Sequence, residues 1–225
     1  TEHGHWTGEV WNRRKNGELF AEIITISAVR NPLGATTHYV ALFTDITSIK
    51  ENERKLERIA HYDALTGLPN RVLLADRLQQ AMARCQRKGH SLAVAFIDLD
   101  GFKAINDNHG HRVGDLAIRE FAQRLSSGAR RSDTVARLGG DEFGVVLRPT
   151  ASTDGLRAST ERLIRQVQGP LVVDGQRINL GASFGAALYP DDARDINGLL
   201  EVADQAMYAA KRERKGQAVT GLTNE

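Results

Sequence analysis

The sequence predicts an α/β (α+β) fold in two parts, a short run of strands followed by a larger sheet covered by helices. Three observations lead there. Residues 1–45 carry three β-branched, apolar stretches separated by turn residues. Residues 46–60 are dense in charge, with only sparse apolar positions. From residue 61 onward, apolar strand patterns alternate with segments whose apolar residues recur at helical spacing.

In the first part, Trp6 to Arg13 reads as a strand, and Asn16-Gly17 is a strong hairpin signal. Phe20 to Val29 follows, with Ile24, Ile26 and Ala28 alternating. Asn31-Pro32-Leu33-Gly34 makes a second turn before Thr37 to Phe43. Three antiparallel strands have one face to bury and nothing within residues 1–45 to bury it against, so this stretch is expected to be part of a domain. Trp6-Thr7-Gly8-Glu9, Arg14-Lys15-Asn16-Gly17 and Thr44-Asp45-Ile46-Thr47 resemble the C-terminal half of a PAS sensor domain. That resemblance implies ligand-holding helices upstream, so no sensory ligand is assigned. The chain begins at Thr1 rather than Met, and is expected to be cut from something longer.

Residues 46–60 place Ile49, Leu56 and Ile59 as a sparse heptad seam among charges. The pattern fits a short coiled coil joining two subunits, and equally a solvated linker helix.

Beyond it, Arg71 to Lys88 carries Leu74, Leu78, Ala81 and Cys85 on one helical face, and Ser91 to Asp98 is an apolar strand. Gly114 to Arg130 is expected to be helical through Ile118, Phe121, Ala122 and Leu125. Thr134 to Leu138 and Phe143 to Leu147 flank a Gly139-Gly140 turn. Ser152 to Gln168 again shows helical spacing, Arg177 to Leu188 reads as one strand, and Ile196 to Arg212 as the last helix. The expected boundaries are 1–45, a linker helix at 46–60, the main domain at 61–217 and a tail at 218–225.

Composition narrows the function. Across 225 residues the chain is 41% hydrophobic and 26% charged, the balance of a globular protein. A net charge of +2, with basic and acidic residues interleaved, gives no basic stripe for nucleic acid. The single cysteine, Cys85, excludes a disulfide framework and a thiolate metal cluster. No apolar stretch is long enough to span a membrane. A cytoplasmic location is expected, with a tether elsewhere in a longer protein left open.

The chemistry gathers at two places. Phe96-Ile97-Asp98-Leu99-Asp100 is an apolar strand ending in carboxylates, and a buried acid needs a cation or a donor. Arg137-Leu138-Gly139-Gly140-Asp141-Glu142-Phe143 sets two acids directly after a sharp turn. Should the two strands be neighbours, Asp98 and Asp141 can share a hard divalent ion. Oxygen ligands without His or Cys favour Mg²⁺ or Mn²⁺, which take much of their shell from water and phosphate. Taken singly, either motif is also a common turn or cap.

Together, these motifs resemble the GGDEF domain of diguanylate cyclases. The resemblance also runs through Asp63-Ala64-Leu65-Thr66-Gly67-Leu68-Pro69-Asn70-Arg71, Asp98 to Asp107, Gly110 to Asp115, and Ala203-Asp204-Gln205-Ala206-Met207-Tyr208. It implies a palm-like, ferredoxin-like central antiparallel sheet flanked by helices. It implies condensation of two GTP into cyclic di-GMP by a homodimer joined through the linker helix and PAS-like region.

By the same resemblance Asp98, Asp141 and the Leu99 carbonyl hold metal. Asp141 helps deprotonate the attacking hydroxyl, with Glu142 as the alternative base or second metal ligand. Asn106 and Asp115 recognise guanine, since a carboxylate accepts from N1–H and the exocyclic amine. In plain helix terms, Asn106 would instead be a cap and Asp115 an acid at a helix N-terminus. His111 either lines the base pocket or is structural. Lys103, expected on a loop over the triphosphate with Phe102 packed beside it, and Lys211 reach phosphate. Lys215 is their companion, although Arg214-Lys215-Gly216-Gln217 departs from the family pattern and a shift of one residue would select Arg214. Arg130-Arg131-Ser132-Asp133 matches an inhibitory product site read by Arg130 and Asp133. The alternative function is an inactive receptor for GTP or cyclic di-GMP.

Overall fold

A computed structural model describes residues 4–150, 153–212 and 219–220, and divides the chain into two compact units, 1–60 and 61–225. In the first, β1 (His5–Arg13), β2 (Leu19–Arg30) and β3 (Thr36–Asp45) form an antiparallel sheet in that order. The two turns fall at Asn16-Gly17 and Asn31 to Gly34, where the sequence signalled them. Every residue of β3 is exposed. Among the described residues of this unit, Phe20, Ala21, Glu22 and Ile46 are buried. Helix α1 (Thr47–His61) follows; it buries none of its residues, and Ile49, Leu56 and Ile59 are all exposed.

Asp45 ties the end of β3 to the start of α1. Its carboxylate accepts from the Thr47 hydroxyl (2.6 Å) and main-chain N–H (2.9 Å) and pairs with Arg14. Those Thr47 bonds, with the Arg14 guanidinium behind them, hold the Asp45 carboxyl down at about 2.

The second unit contains α2 (Arg71–Lys88), β4 (Ser91–Asp100), α3 (Phe102–His109), α4 (His111–Gly128), β5 (Thr134–Gly139) and β6 (Glu142–Thr150). These are followed by α5 (Thr153–Val167), β7 (Leu171–Val173), β8 (Gln176–Ile178), β9 (Gly181–Tyr189), α6 (Ile196–Arg212) and β10 (Val219–Thr220). The main sheet runs β10-β9-β4-β6-β5, antiparallel except for the short β10 edge. This is the expected antiparallel sheet between helical layers.

Strand β4 is central, and its period of two separates the two cores. Ala93, Ala95, Ile97 and Leu99 face Ile118, Phe121 and Leu125 of α4 and Leu156 and Leu163 of α5. Leu92, Val94 and Phe96 face Leu74 and Leu78 of α2 and Leu199, Ala203 and Met207 of α6. Continuing that alternation sends Asp98 to the α2/α6 side. Helix α6 lies hard against β9, because a Cβ on Gly185 would come within 2.1 Å of the Ala203 carbonyl oxygen and the Met207 nitrogen.

Three local expectations are corrected. The strand expected over 177–188 is two elements: β8 pairs only with β7, and β9 alone joins the main sheet. Asp174-Gly175, with φ of 49° and 76°, closes the β7–β8 hairpin and takes those residues out of the long strand. The loop expected around Lys103 is the first turn of α3, started by Gly101 in the left-handed region at φ 78°. Helix α4 begins at His111 rather than Gly114, which puts Asp115 in its second turn and not at its N-terminus.

Candidate functional site

Asp98, near the end of β4, lies across from Glu142 on β6 and Ser183 on β9. It is 7% exposed, and its Oδ1 accepts a 2.7 Å hydrogen bond from the Lys211 Nζ at the end of α6. The next residue ties strand to hairpin: the Leu99 N–H donates to the Asp141 carbonyl at 3.3 Å. The Leu99 side chain is buried on the opposite face, so only its main chain is available to a ligand. Asp100 is fixed to β9 by the Ser183 hydroxyl (2.8 Å). The hydrogen bond to Asp98 raises the Lys211 pKa; burial opposes this, and the charges of Asp98, Asp141 and Asp100 reinforce it.

The hairpin tip depends on its glycines for backbone reasons. Gly139 and Gly140 have φ of 143° and 54°, and nothing lies within 4 Å of where a Cβ on either would stand. The tip is open above and strapped below. Arg137 donates from Nε and Nη2 to the Gly140 carbonyl (3.0 and 2.7 Å) and from Nη1 to both Asp63 oxygens (3.0 and 3.1 Å). Asp63 Oδ1 also accepts from the Thr66 N–H (2.9 Å) and hydroxyl (2.7 Å). Burial pushes the Asp63 carboxyl up, but the Thr66 and Arg137 bonds more than offset it, leaving it below the usual carboxylate value. Glu142 is met by Arg71 at 3.3 Å.

Helices α3 and α4 carry the next group. Lys103 is exposed in the first turn of α3, and half-buried Phe102 packs on the core. Asn106 is half-buried inside α3 and is not a helix cap. Its amide fits because position 114 is glycine: a Cβ there would stand 1.9 Å from the Asn106 Oδ1 and 3.3 Å from the Phe102 ring. Asp115 and His111 are exposed on α4. Lys215 and Arg214 lie outside the described residues.

Arg130 and Asp133 stand apart from this group. They close a turn after α4 in which the Asp133 carboxylate accepts from the Arg130 N–H (2.8 Å) and the Asp133 N–H donates to the Arg130 carbonyl (2.9 Å). Both line a cavity of about 360 Å³ with Tyr62, Leu73, Arg77 and Arg131. A cavity of about 310 Å³ between α2 and α6 is lined by Arg71, Phe96, Glu142, Asp204 and Met207. Lys103, Asn106 and Asp115 line neither of the two.

The sequence motifs included Asp63, Arg71, Gly114 and Arg137 without assigning them a contact, and Ser183 carried no signal of its own. Thr66 three residues after Asp63 was a usable turn signal. The partners of Arg137 and Ser183, 74 and 83 residues away, left none.

The donor set suits a hard divalent ion. Among the described residues no three acidic, His or Cys side chains stand together as a metal cage. The Lys211 ammonium gives buried Asp98 a cationic partner.

Residues 60–217 match the family model for the diguanylate cyclase GGDEF domain. The bifunctional diguanylate cyclase/cyclic di-GMP phosphodiesterase MucR of Pseudomonas aeruginosa is 40% identical over 193 residues, covering 86% of this chain and 27% of MucR. Diguanylate cyclase TpbB of the same species is 43% identical over 170 residues, covering 75% of this chain and 39% of TpbB. The chain therefore spans between about a quarter and two fifths of these relatives. The crystal structure of the TpbB GGDEF domain aligns with a TM-score of 0.67 at 41% identity, covering 71% of this chain and 99% of that one. The coiled coil and GGDEF domain of DgcB from Caulobacter crescentus, solved with cyclic di-GMP, aligns at 0.65 and 26% identity, covering 78% and 93%. With its sheet order, its Gly139-to-Phe143 hairpin and these matches in agreement, the chain belongs to the GGDEF diguanylate cyclase domain family.

Proposed function

We propose that this chain condenses two GTP into cyclic di-GMP, releasing two pyrophosphates. The observation that carries this is the end of β4, where Asp98 faces Glu142 across the ladder while Leu99 binds the Asp141 main chain. A Mg²⁺ or Mn²⁺ ion held by Asp98, Asp141 and the Leu99 carbonyl would supply charge neutralisation on the triphosphate.

The rest falls to side chains and backbone. No side chain caps the first turn of α3, whose Ala104 N–H bonds the Gly101 carbonyl, so the Phe102 and Lys103 N–H groups are the ones offered to phosphate, with the Lys103 side chain beside them. Lys211 takes a terminal phosphate oxygen, and Lys215 or Arg214 adds to it. Asn106 and Asp115 read the guanine edge, Phe102 supports Asn106, and His111 borders the base. Asp141 accepts the 3′-hydroxyl proton; Glu142, tied to Arg71, is the alternative base. Each hydroxyl attacks the α-phosphate of the other nucleotide, so two copies must face each other.

Helix α1 supplies a means of pairing, since its Ile49, Leu56 and Ile59 seam is exposed in the single chain. The DgcB structure, a coiled coil joined to a GGDEF domain with cyclic di-GMP, supports both that pairing and product binding. We assign residues 1–45 to the C-terminal half of a PAS domain that sets how often the two copies meet, 46–60 to the linker, 61–217 to the catalytic domain and 218–225 to the tail. The cytoplasm, where GTP is made, is the assigned location; among the described residues no helix is long and apolar enough to cross a membrane.

Incubation with GTP and Mg²⁺ followed by chromatography tests the activity. Cyclic di-GMP is the expected product; GTP bound but unconverted would assign the chain to the receptor class, and conversion of ATP instead would overturn the guanine assignment. For inhibition, Arg130→Ala is expected to relieve product inhibition while leaving the initial rate alone. Unchanged inhibition in that variant would reduce Arg130 to a turn residue.

A further inference from the structure

On the strength of the cyclase assignment above, we propose that Lys211 is the internal counter-ion of Asp98, and that exchange of its ammonium for a divalent ion couples metal binding to nucleotide binding. Among the described residues the basic partner of Asp98 is Lys211, whose ammonium meets its carboxylate at 2.7 Å. The two side chains differ in freedom. That of Asp98 is 10% exposed and fixed on the central strand, whereas that of Lys211 is 46% exposed on the last turn of α6. When a second cation arrives, the lysine is therefore the partner able to leave.

Leaving has a consequence for order. A metal ion alone must displace the ammonium from Asp98 and, by drawing the charges of Asp98 and Asp141 to itself, take from Lys211 most of the carboxylate field that holds it. A triphosphate changes that balance, because its oxygens give the displaced ammonium a new anionic partner within the same site. The two ligands should then bind with positive coupling, each strengthening the other by the same factor. Lys211 thereby acts twice, as a phosphate ligand when nucleotide is present and as a guard on the metal site when it is not. Free divalent ions would bind weakly to the resting domain, and the occupied site would form only around GTP.

The experiment reads metal binding rather than turnover. Mn²⁺ binding is followed by electron paramagnetic resonance, with and without a non-hydrolysable GTP analogue, in wild type, Lys211→Met, Arg212→Met and Asp98→Asn. Wild type is expected to bind Mn²⁺ about tenfold more tightly with the analogue. Lys211→Met should bind Mn²⁺ alone at least threefold more tightly than wild type and lose most of that coupling. Arg212→Met removes an adjacent exposed charge and should change neither. Mn²⁺ affinity in Lys211→Met equal to or weaker than wild type overturns the counter-ion role, as does an equal gain in Arg212→Met, which would mark a general field effect. Asp98→Asn separates the two levels: if it binds Mn²⁺ as wild type does, the metal-site assignment itself fails.

Discussion

The two units handle a β-sheet in opposite ways. In residues 5–45 three strands pair as hairpins, with one register shift between Val29 and Arg30, yet β3 keeps all ten of its residues exposed, among them Tyr39, Val40, Leu42 and Phe43. In residues 61–225 the central strand β4 is buried on both faces, and its even and odd positions feed separate cores beneath separate helix pairs. Pairing of strands is thus a local property satisfied in both units, whereas burial of their faces is satisfied only where helices cover them. The site appears where that covering stops. Asp98 continues the α2/α6 face of β4 one step past Phe96, at the point where the helical layer gives way to charged side chains.

The comparison can be broken most forcefully at Gly185. Alanine there would drive a methyl group into the main chain of α6, and overpacking at a backbone contact is expected to cost about 3 kcal/mol. Urea unfolding measures this; a cost below about 1 kcal/mol would mean that α6 is free to shift and does not define the position of Lys211.

Asp141→Ala separates chemistry from scaffold. Turnover should fall at least ~100-fold, about 2.7 kcal/mol of transition-state stabilisation, with the unfolding midpoint little changed. Near-normal cyclic di-GMP formation would remove Asp141 from the site.

The strap beneath the hairpin comes next. Arg137→Ala leaves Asp63 without its guanidinium and the Gly140 carbonyl without two donors, a loss of about 2 kcal/mol. Asp63 also makes this region sensitive to pH. Its carboxyl is depressed in the folded protein, so its stabilisation is fully present above the unfolded carboxylate value of about 4 and is lost as pH falls through the lower folded value. The stability gap between wild type and Asp63→Asn should therefore be widest near neutral pH and close under acid. A gap that persists unchanged to low pH would show that shape, not charge, is what Asp63 contributes.

The smallest effect belongs to the first unit. Phe43→Ser lies on the open face and should move stability by no more than about 0.5 kcal/mol. A loss of the size seen for core residues would show that this face is covered in solution.

Much of this arrangement was legible beforehand. The Asn16-Gly17 turn, the helical spacing of Leu74, Leu78, Ala81 and Cys85, and the acids at the ends of two apolar strands are short-range signals. Short-range signals mark where a chain turns, coils or runs straight. The failures were local where one residue outweighed the pattern. Asp174-Gly175 split an apparent strand, and Gly101 opened an eight-residue helix too short to show a periodicity. Gly114 gave no sign of its purpose, because the amide it makes room for lies on a neighbouring helix.

By itself the sequence determined most of the elements and the family to which the acid-bearing motifs belong, since each is written in residues a few positions apart. Only the tertiary structure decided that Lys211 would meet Asp98 across 113 residues, that Arg137 would strap the hairpin to Asp63, and that Gly185 would bring α6 against the sheet. Such pairings follow from how packed layers stack, and no periodicity along the chain encodes which distant residue completes a charge.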